Sequence, residues 1–499
     1  DTLSAIDDLW HAAVNGRGVY YSAKDPASLK SSLEDFLNNV SASTSSSAAA
    51  TTSNPNVSAG DNYVFKSTFK SAAWYGELAR YTLDLTTGAI SQNADWSQSG
   101  TAYSNAPTKT YTPPLLDNRP HTARTIYTYN AGALIDFDWA SLTSAGLAKY
   151  FIEAHISSTI APLQPLSQWC SSGVNCLDAA AQEDSTTAGT TTGAGGVNLV
   201  NFLRGDRSNE GPDATTYYFA REHVLGDIVD SQAVYVQAPL WSYNDTGYAA
   251  FKSSKANRQG MVYVGANDGM LHAFKADDGK EEWAYIPAML LPNLYKLADK
   301  KYAAKHHYYV NATPKTGDVY LTDNAGGGAW KTILVGGLGQ GGRGYYALDI
   351  TNPTSPSALW EFDSSMDNDL GYTYGTPIIT KLADGTWVVI VTSGYNNVSP
   401  GTGKGFVYVL DAKTGSVLHK IDNGTGTAAT PSGLGKLSAF VESSRSNNLS
   451  LRVYGGDLYG NVWRFDLSQL KGDKTGTAYV QLLATLAADS NGITPQPIT

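Results

Sequence analysis

From Arg258 to Asp466 the chain repeats one short grammar of apolar strand, tight turn, strand, second turn and a further strand. One unit reads Met261–Gly265, a turn at Asn267-Asp268-Gly269, Leu271–Phe274, a turn at Asp277-Asp278-Gly279, then Trp283. The same order returns at Ile333–Gly336 with Tyr345–Asp349 and Trp360. It returns again at Val388–Val391 with Val407–Asp411, the turn Thr414-Gly415 and Val417-Leu418, and at Arg452–Gly456 with Asn461–Asp466. Phe274, Leu348, Leu410 and Phe465 align at intervals of roughly 55 to 75 residues, the spacing of four-stranded blades with uneven loops. No single unit can bury its own apolar faces, so neighbours must cover one another. The pattern predicts an all-β fold, a modified β-propeller of about seven blades. Four clear units do not close a ring, and the strands between Tyr63 and Val236 are expected to supply the others.

The flanks differ. Residues 3–15 and 26–40 carry apolar side chains at helical spacing, with Asp25-Pro26 as a start signal and Asn15-Gly16 as a stop, which predicts a helical segment over 1–40. Residues 41–60 are almost wholly Ser, Ala, Thr and Asn and read as a linker or disordered loop. The propeller is expected over 61–499, with a helical and disulfide-bearing insertion near 140–200. Cys170 and Cys176 close a short polar loop and read as a disulfide, two free thiols being the alternative, which favours an oxidising compartment. The start at Asp1 shows no charged and apolar export signal, and Thr494–Thr499 reads as interior sequence. The expectation is a fragment of a longer, exported protein.

A net charge of −10 offers no global positive field for phosphates or anionic lipid, which argues against nucleic acid as a partner. No run of 18 apolar residues is present to form a transmembrane segment. Gly337-x-Gly339-x-x-Gly342 matches a dinucleotide fingerprint, yet Tyr345–Leu348 reads as a strand where that chemistry needs a helix N-terminus. Asp363, Asp367, Asn368 and Asp369 are the nearest approach to a calcium loop, and Asp363, Asp367 and Asp369 are the candidate metal ligands. His306 and His307, adjacent on an expected strand, would face opposite sides and not share a metal. Neither Gly-x-Ser-x-Gly nor His-Glu-x-x-His occurs, so no catalytic residue is assigned. Arg204, Gly205 and Asp206 form an integrin-type tripeptide if exposed on a loop tip. The reading beside it makes Arg204 and Asp206 capping or salt-bridge residues.

Segments along most of the chain carry a family resemblance. They are Asp8–Gly18, Trp74–Leu78, Asn201–Asp206, Leu225–Ser231, Val264–Phe274, Asp369–Thr373 and Gly456–Leu467. Together they resemble the C-terminal part of the PilC/PilY family of type IV pilus tip-associated proteins. The resemblance implies a secreted modified β-propeller at or near the pilus tip that supports pilus assembly, opposes retraction and helps cells adhere. Minor pilins and other tip proteins, and a host receptor or surface, are the implied partners. Relatives often hold calcium in an Asp-rich loop just before the strand corresponding to Arg452–Tyr454. Here that stretch is Glu442–Asn448, with one carboxylate and an arginine, so no cofactor is expected and calcium at that loop is in doubt.

Two rival readings remain. Ala276–Trp283 and Leu410–Gly415 look like the blade-locking turns of quinone- and calcium-dependent alcohol dehydrogenases. Only one of these copies keeps its tryptophan, the other ending Leu418-His419-Lys420, and the cysteines are not adjacent as they are beside the quinone. A sugar-binding propeller lectin would use clustered aromatics such as Tyr308, Tyr309, Tyr345 and Tyr346, which in the plainer reading pack between blades. The reading adopted is a rigid non-enzymatic platform whose loops dock partners. Asp184–Gly196, Arg204-Gly205-Asp206 and Gly424–Gly435 are the candidate contact segments.

Overall fold

The computed structural model describes residues 50–52, 62–100, 114–152, 155–156, 166, 195–211, 216, 218–323, 327–441, 443, 445–486 and 495–499. Among these residues five sheets follow one another along the chain. The first holds β1 (Ala50–Thr52), β2 (Tyr63–Lys70), β3 (Tyr75–Thr82) and β4 (Trp96–Ser97). The second holds β5 (Ile126–Asn130), β6 (Ala133–Asp136), β7 (Val234–Val236), β8 (Met261–Gly265), β9 (Leu271–Lys275) and β10 (Glu281–Ile286). Three four-stranded meanders complete the set. They are β11 (Lys315–Thr322) to β14 (Ser357–Asp363) with β12 (Gly328–Gly337) and β13 (Gly344–Asp349); β15 (Ile378–Lys381), β16 (Trp387–Thr392), β17 (Phe406–Asp411) and β18 (Val417–Asp422); and β19 (Leu437–Val441), β20 (Ser450–Gly456), β21 (Asn461–Asp466) and β22 (Tyr479–Thr485).

The middle strands of the second, third and fourth sheets are continuous apolar runs because these sheets are covered on both faces. In β16, Val389 and Val391 enter the core shared with the third sheet, while Val388 and Ile390 enter the core shared with the fifth. In β8, Met261 and Tyr263 face the third sheet and Val262 and Val264 face the first. The two-residue period of a strand thus feeds two cores at once. The first strands β1, β7, β11, β15 and β19 neighbour one another in succession, and each ends its sheet with a free edge. Sheets that pack face to face with their first strands on the inside have the radial order of propeller blades.

A hydrogen bond pins the fourth strand, counted from the inner edge, of each of the first four sheets, β4, β10, β14 and β18, to the turn of the next sheet. Trp96 Nε1 donates to Ala276 O at 3.1 Å, Trp283 Nε1 to Pro353 O at 2.7 Å, and Trp360 Nε1 to Ala412 O at 3.1 Å. His419 takes the same post in β18, its Nε2 lying 2.8 Å from Lys471 O. The tryptophan interlock is therefore more general than the single copy read from the sequence. Trp360 already stands in the repeating unit, but each tryptophan's receiving carbonyl lies 52 to 180 residues away, so the partner shows only in the tertiary structure.

Two expectations change, and a third holds. The strands between Tyr63 and Val236 do not all make new blades: β10 accepts β5 in parallel, β6 pairs outside β5, and β7 pairs with β8, so all three enlarge the second sheet. Five sheets, against about seven expected, lie among the described residues. Within the tract read as a linker, Thr51 and Thr52 pair with Phe65 and Val64, an edge position that asks only for main-chain bonds and β-branched residues. The predicted helical interruption appears as a helix at Trp139–Ser144, capped by Asp138 Oδ1 accepting from Ser141 N at 2.7 Å, and a 3₁₀ turn at Ala148–Phe151. The segments 3–15 and 26–40, Cys170, Cys176 and residues 184–194 lie outside the described residues.

Candidate functional site

The N-terminal ends of the inner strands open on one end of the molecule, and several connections gather there. They include the Gly337–Gly342 turn between β12 and β13, the Pro287–Pro314 segment before β11, and the Gly424–Gly435 loop between β18 and β19. As the sequence predicted, the glycine triplet joins two strands. Glycine is required there for close approach: a Cβ at Gly341 would stand 1.8 Å from Tyr309 O.

Buried polar side chains hold these loops at their bases. Asp227, almost fully buried, accepts from Asn267 Nδ2 at 2.7 Å and pairs with His306 Nε2 at 3.0 Å, while Asn267 Oδ1 accepts from Tyr309 N at 3.0 Å. His306 stacks on Trp74 with ring centroids 3.8 Å apart. In the fifth sheet Asp457 accepts from Asn461 Nδ2 at 3.0 Å, Trp463 Nε1 at 2.8 Å and Thr425 Oγ1 at 3.2 Å. Above these anchors the tip Thr427–Thr430 is exposed.

Beside Asp227 runs a buried charge chain. Asp268 Oδ2 lies 3.1 Å from His272 Nε2, and His272 Nδ1 lies 2.8 Å from Glu281 Oε1. Glu281 Oε2 accepts from Arg124 Nε at 2.7 Å. Burial alone would lower the His272 pKa, but Asp268 and Glu281 outweigh it and raise it to about 9. Both ring nitrogens are committed to carboxylates. This imidazole therefore resembles a general base in its neighbours only, having no free nitrogen with which to take a proton.

Between the inner strands lies a cavity of about 770 Å³, lined by Thr51, Asp230, Asn311, Lys315, Tyr374 and Lys436 among others. Lys315 opens β11, Lys436 precedes β19, and both are exposed. A smaller cavity of about 230 Å³ shares Tyr235, Lys315 and Thr316 with it and runs on to Leu240 and Trp241. Periodicity arguments miss this site because its residues come from the starts and edges of separate inner strands and from the loops before them, which meet only when the sheets pack.

The residues singled out in the sequence lie elsewhere. Arg204 ends the helix Gly195–Arg204 and is buried, its guanidinium donating to Phe137 O at 2.7 Å, Arg124 O at 2.9 Å and His121 O at 3.1 Å. Gly205 has φ of +112°, and Asp206 Oδ1 accepts from Ser208 N at 2.9 Å. Arg204 is thus a structural residue and not the tip of an exposed loop, because its charge is worth more to unpaired carbonyls than to water. Asp363 Oδ1 serves its own turn through Ser365, apart from the other two acids. The Lys420 ammonium lies 2.9 Å from Asp367 Oδ1 and 2.7 Å from Asp369 Oδ2, where a bound cation would neutralise the same oxygens. His306 and His307 lie in the loop before β11, His306 on Asp227 and His307 exposed. Tyr309, Tyr345 and Tyr346 are buried between sheets and Tyr308 is half-buried, so they form no sugar platform. The turn at 445–448 accepts from the segment that follows β7, Ser242 N donating to Arg445 O and Asn244 N to Ser446 O, each 2.9 Å.

A family model described as the PilY1 beta-propeller domain matches residues 225–481. The type IV pilus biogenesis factor PilY1 of Pseudomonas aeruginosa strain UCBPP-PA14 is 33% identical over 483 residues, covering 93% of this chain and 36% of that protein. A PilY1 homolog of Xylella fastidiosa strain Temecula1 is 37% identical over 305 residues, covering 56% of this chain and 20% of that one. The crystal structure of the Pseudomonas aeruginosa PilY1 C-terminal domain aligns at 30% identity with a TM-score of 0.43, covering 53% of this chain and 55% of that chain. The chain spans about a third of the length of the Pseudomonas relative.

Proposed function

Because the chain belongs to the PilY1 β-propeller family, we propose that it is a rigid, non-enzymatic docking platform of a type IV pilus protein. It acts outside the cell at the pilus tip, binding minor pilins and supporting assembly and attachment to a host or abiotic surface. The relatives named as pilus biogenesis factors support the pilus assignment. The observation that carries the docking reading is the loop face. Its exposed tips rest on buried anchors such as Asp227 and Asp457, so contacts made there meet little conformational cost. Among the described residues no helix is long and apolar enough to cross a membrane. The commitment of both His272 nitrogens to carboxylates speaks against acid–base chemistry at the most enzyme-like cluster.

The test sets capture of purified minor pilins on the immobilised chain beside dye-linked alcohol oxidation with added quinone and calcium. Saturable capture without turnover is the expected result. Turnover without capture would replace the platform reading with the dehydrogenase one.

A further inference from the structure

We propose that the axial cavity binds an extended polypeptide segment of the partner through a carboxylate held between Lys315 and Lys436. The inference rests on the docking reading above and supplies the chemistry of the contact. Both lysines are exposed on the wall of one cavity, and neither ammonium has a hydrogen bond or ion pair among the described residues. Elsewhere in this chain of net charge −10, Lys305, Lys331, Lys381, Lys404 and Lys420 hold carboxylates, whereas these two ammonium groups face one cavity. The acid in the lining, Asp230, already accepts from Asn311 Nδ2 at 2.5 Å. The cavity therefore presents a surplus of positive charge inside a concave wall, which concentrates the field on an entering anion.

Shape selects the class of ligand. At about 770 Å³ the cavity is ligand-sized, and its continuation of about 230 Å³ past Lys315 makes the space elongated. The far end reaches Leu240, which is 58% exposed, and half-buried Trp241, so the path runs from a cationic mouth to an apolar end. The wall carries the free edge of β11 at Lys315 and Thr316, whose outward main-chain groups match the alternating donors and acceptors of an extended chain. A saccharide would use the lysines but not that edge.

The experiment titrates the full chain with a fluorescein-labelled peptide of alternating Val and Thr ending in two glutamates. A glutamine-for-glutamate, amidated peptide and an oligo-uronate serve as the comparison arms. Saturable binding of the acidic peptide is expected, weakened about tenfold in the Lys315→Ala/Lys436→Ala double variant and by added salt. Both side chains are exposed, so the variant should melt with the wild type. If it does not, the charge-reversed Lys315→Glu/Lys436→Glu chain is titrated with a lysine-ended peptide, and restored binding upholds the site. Equal binding of the neutral peptide, indifference to the double variant, or equal binding of the oligo-uronate overturns the proposal. Minor-pilin capture that persists unchanged in the double variant also overturns it while leaving the platform reading intact. Capture absent from the wild type refutes that reading and leaves the peptide titration to judge the site.

Discussion

Glu361 shows how one residue can set the pH range of the fold. It sits between the second and third sheets, only 6% exposed, and accepts from the Tyr285 hydroxyl and from Ala288 N at 2.7 Å. Burial raises its pKa from 4.5 to about 7, with those hydrogen bonds opposing the rise, and among the described residues no cation pairs with it. The folded state therefore binds a proton that the unfolded state has released, so this contribution is complete below pH 4.5 and is lost as pH rises through about 7. Its full size is about 3 kcal/mol. In denaturant titrations, Glu361→Gln should match or trail the wild type at acid pH and exceed it at pH above 7. Parallel pH profiles for the two proteins would reject the assignment.

The element that orders the sheets is the turn that receives an aromatic pin. Gly415, in the turn between β17 and β18, has φ of +68°, and a Cβ there would come within 2.6 Å of the Trp360 ring. Gly385, in the turn between β15 and β16, has φ of +90° with nothing within 4 Å of its Cβ position. Gly385→Ala therefore meets backbone strain alone, about 1 kcal/mol. Gly415→Ala must also displace Trp360 and open the interface, about 3 kcal/mol or more. Urea unfolding of the two variants separates the effects, and equal costs would mean that the pin contributes nothing to sheet docking. The helical segment Gly195–Arg204 works in the same sense, because Arg204 fastens three main-chain carbonyls that would otherwise be buried without partners.

Across the whole molecule, stability is expected to follow how many faces each sheet has covered. The third and fourth sheets lie between two cores. The fifth contributes Val453, Trp463 and Phe465 to one core only, and β22 leaves Tyr479, Leu482 and Leu483 exposed. Its link to the fourth sheet is also the histidine pin, His419 to Lys471. Amide hydrogen exchange should therefore open β19–β22 before β12–β17, by several-fold or more in protection. Uniform protection across the three sheets would show that the uncovered face has no energetic consequence.

Much of the architecture was legible in the chain. Strand periods, Asp-Gly and Thr-Gly turns and the recurring unit are local, since a strand's alternation and a turn's backbone angles are set within a few residues. Runs such as Val388–Val391 also announce burial on both faces, and Tyr345–Leu348 correctly ruled out a helix after the glycine triplet. Tertiary structure alone decided that β5 joins β10, that Lys420 stands between Asp367 and Asp369, and that Arg204 turns inward. The axial cavity likewise exists only when residues more than a hundred positions apart, Lys315 and Lys436, reach one wall. Their meeting depends on packing between sheets, and the free energy of that packing is a property of the assembled surfaces that no short window of residues contains.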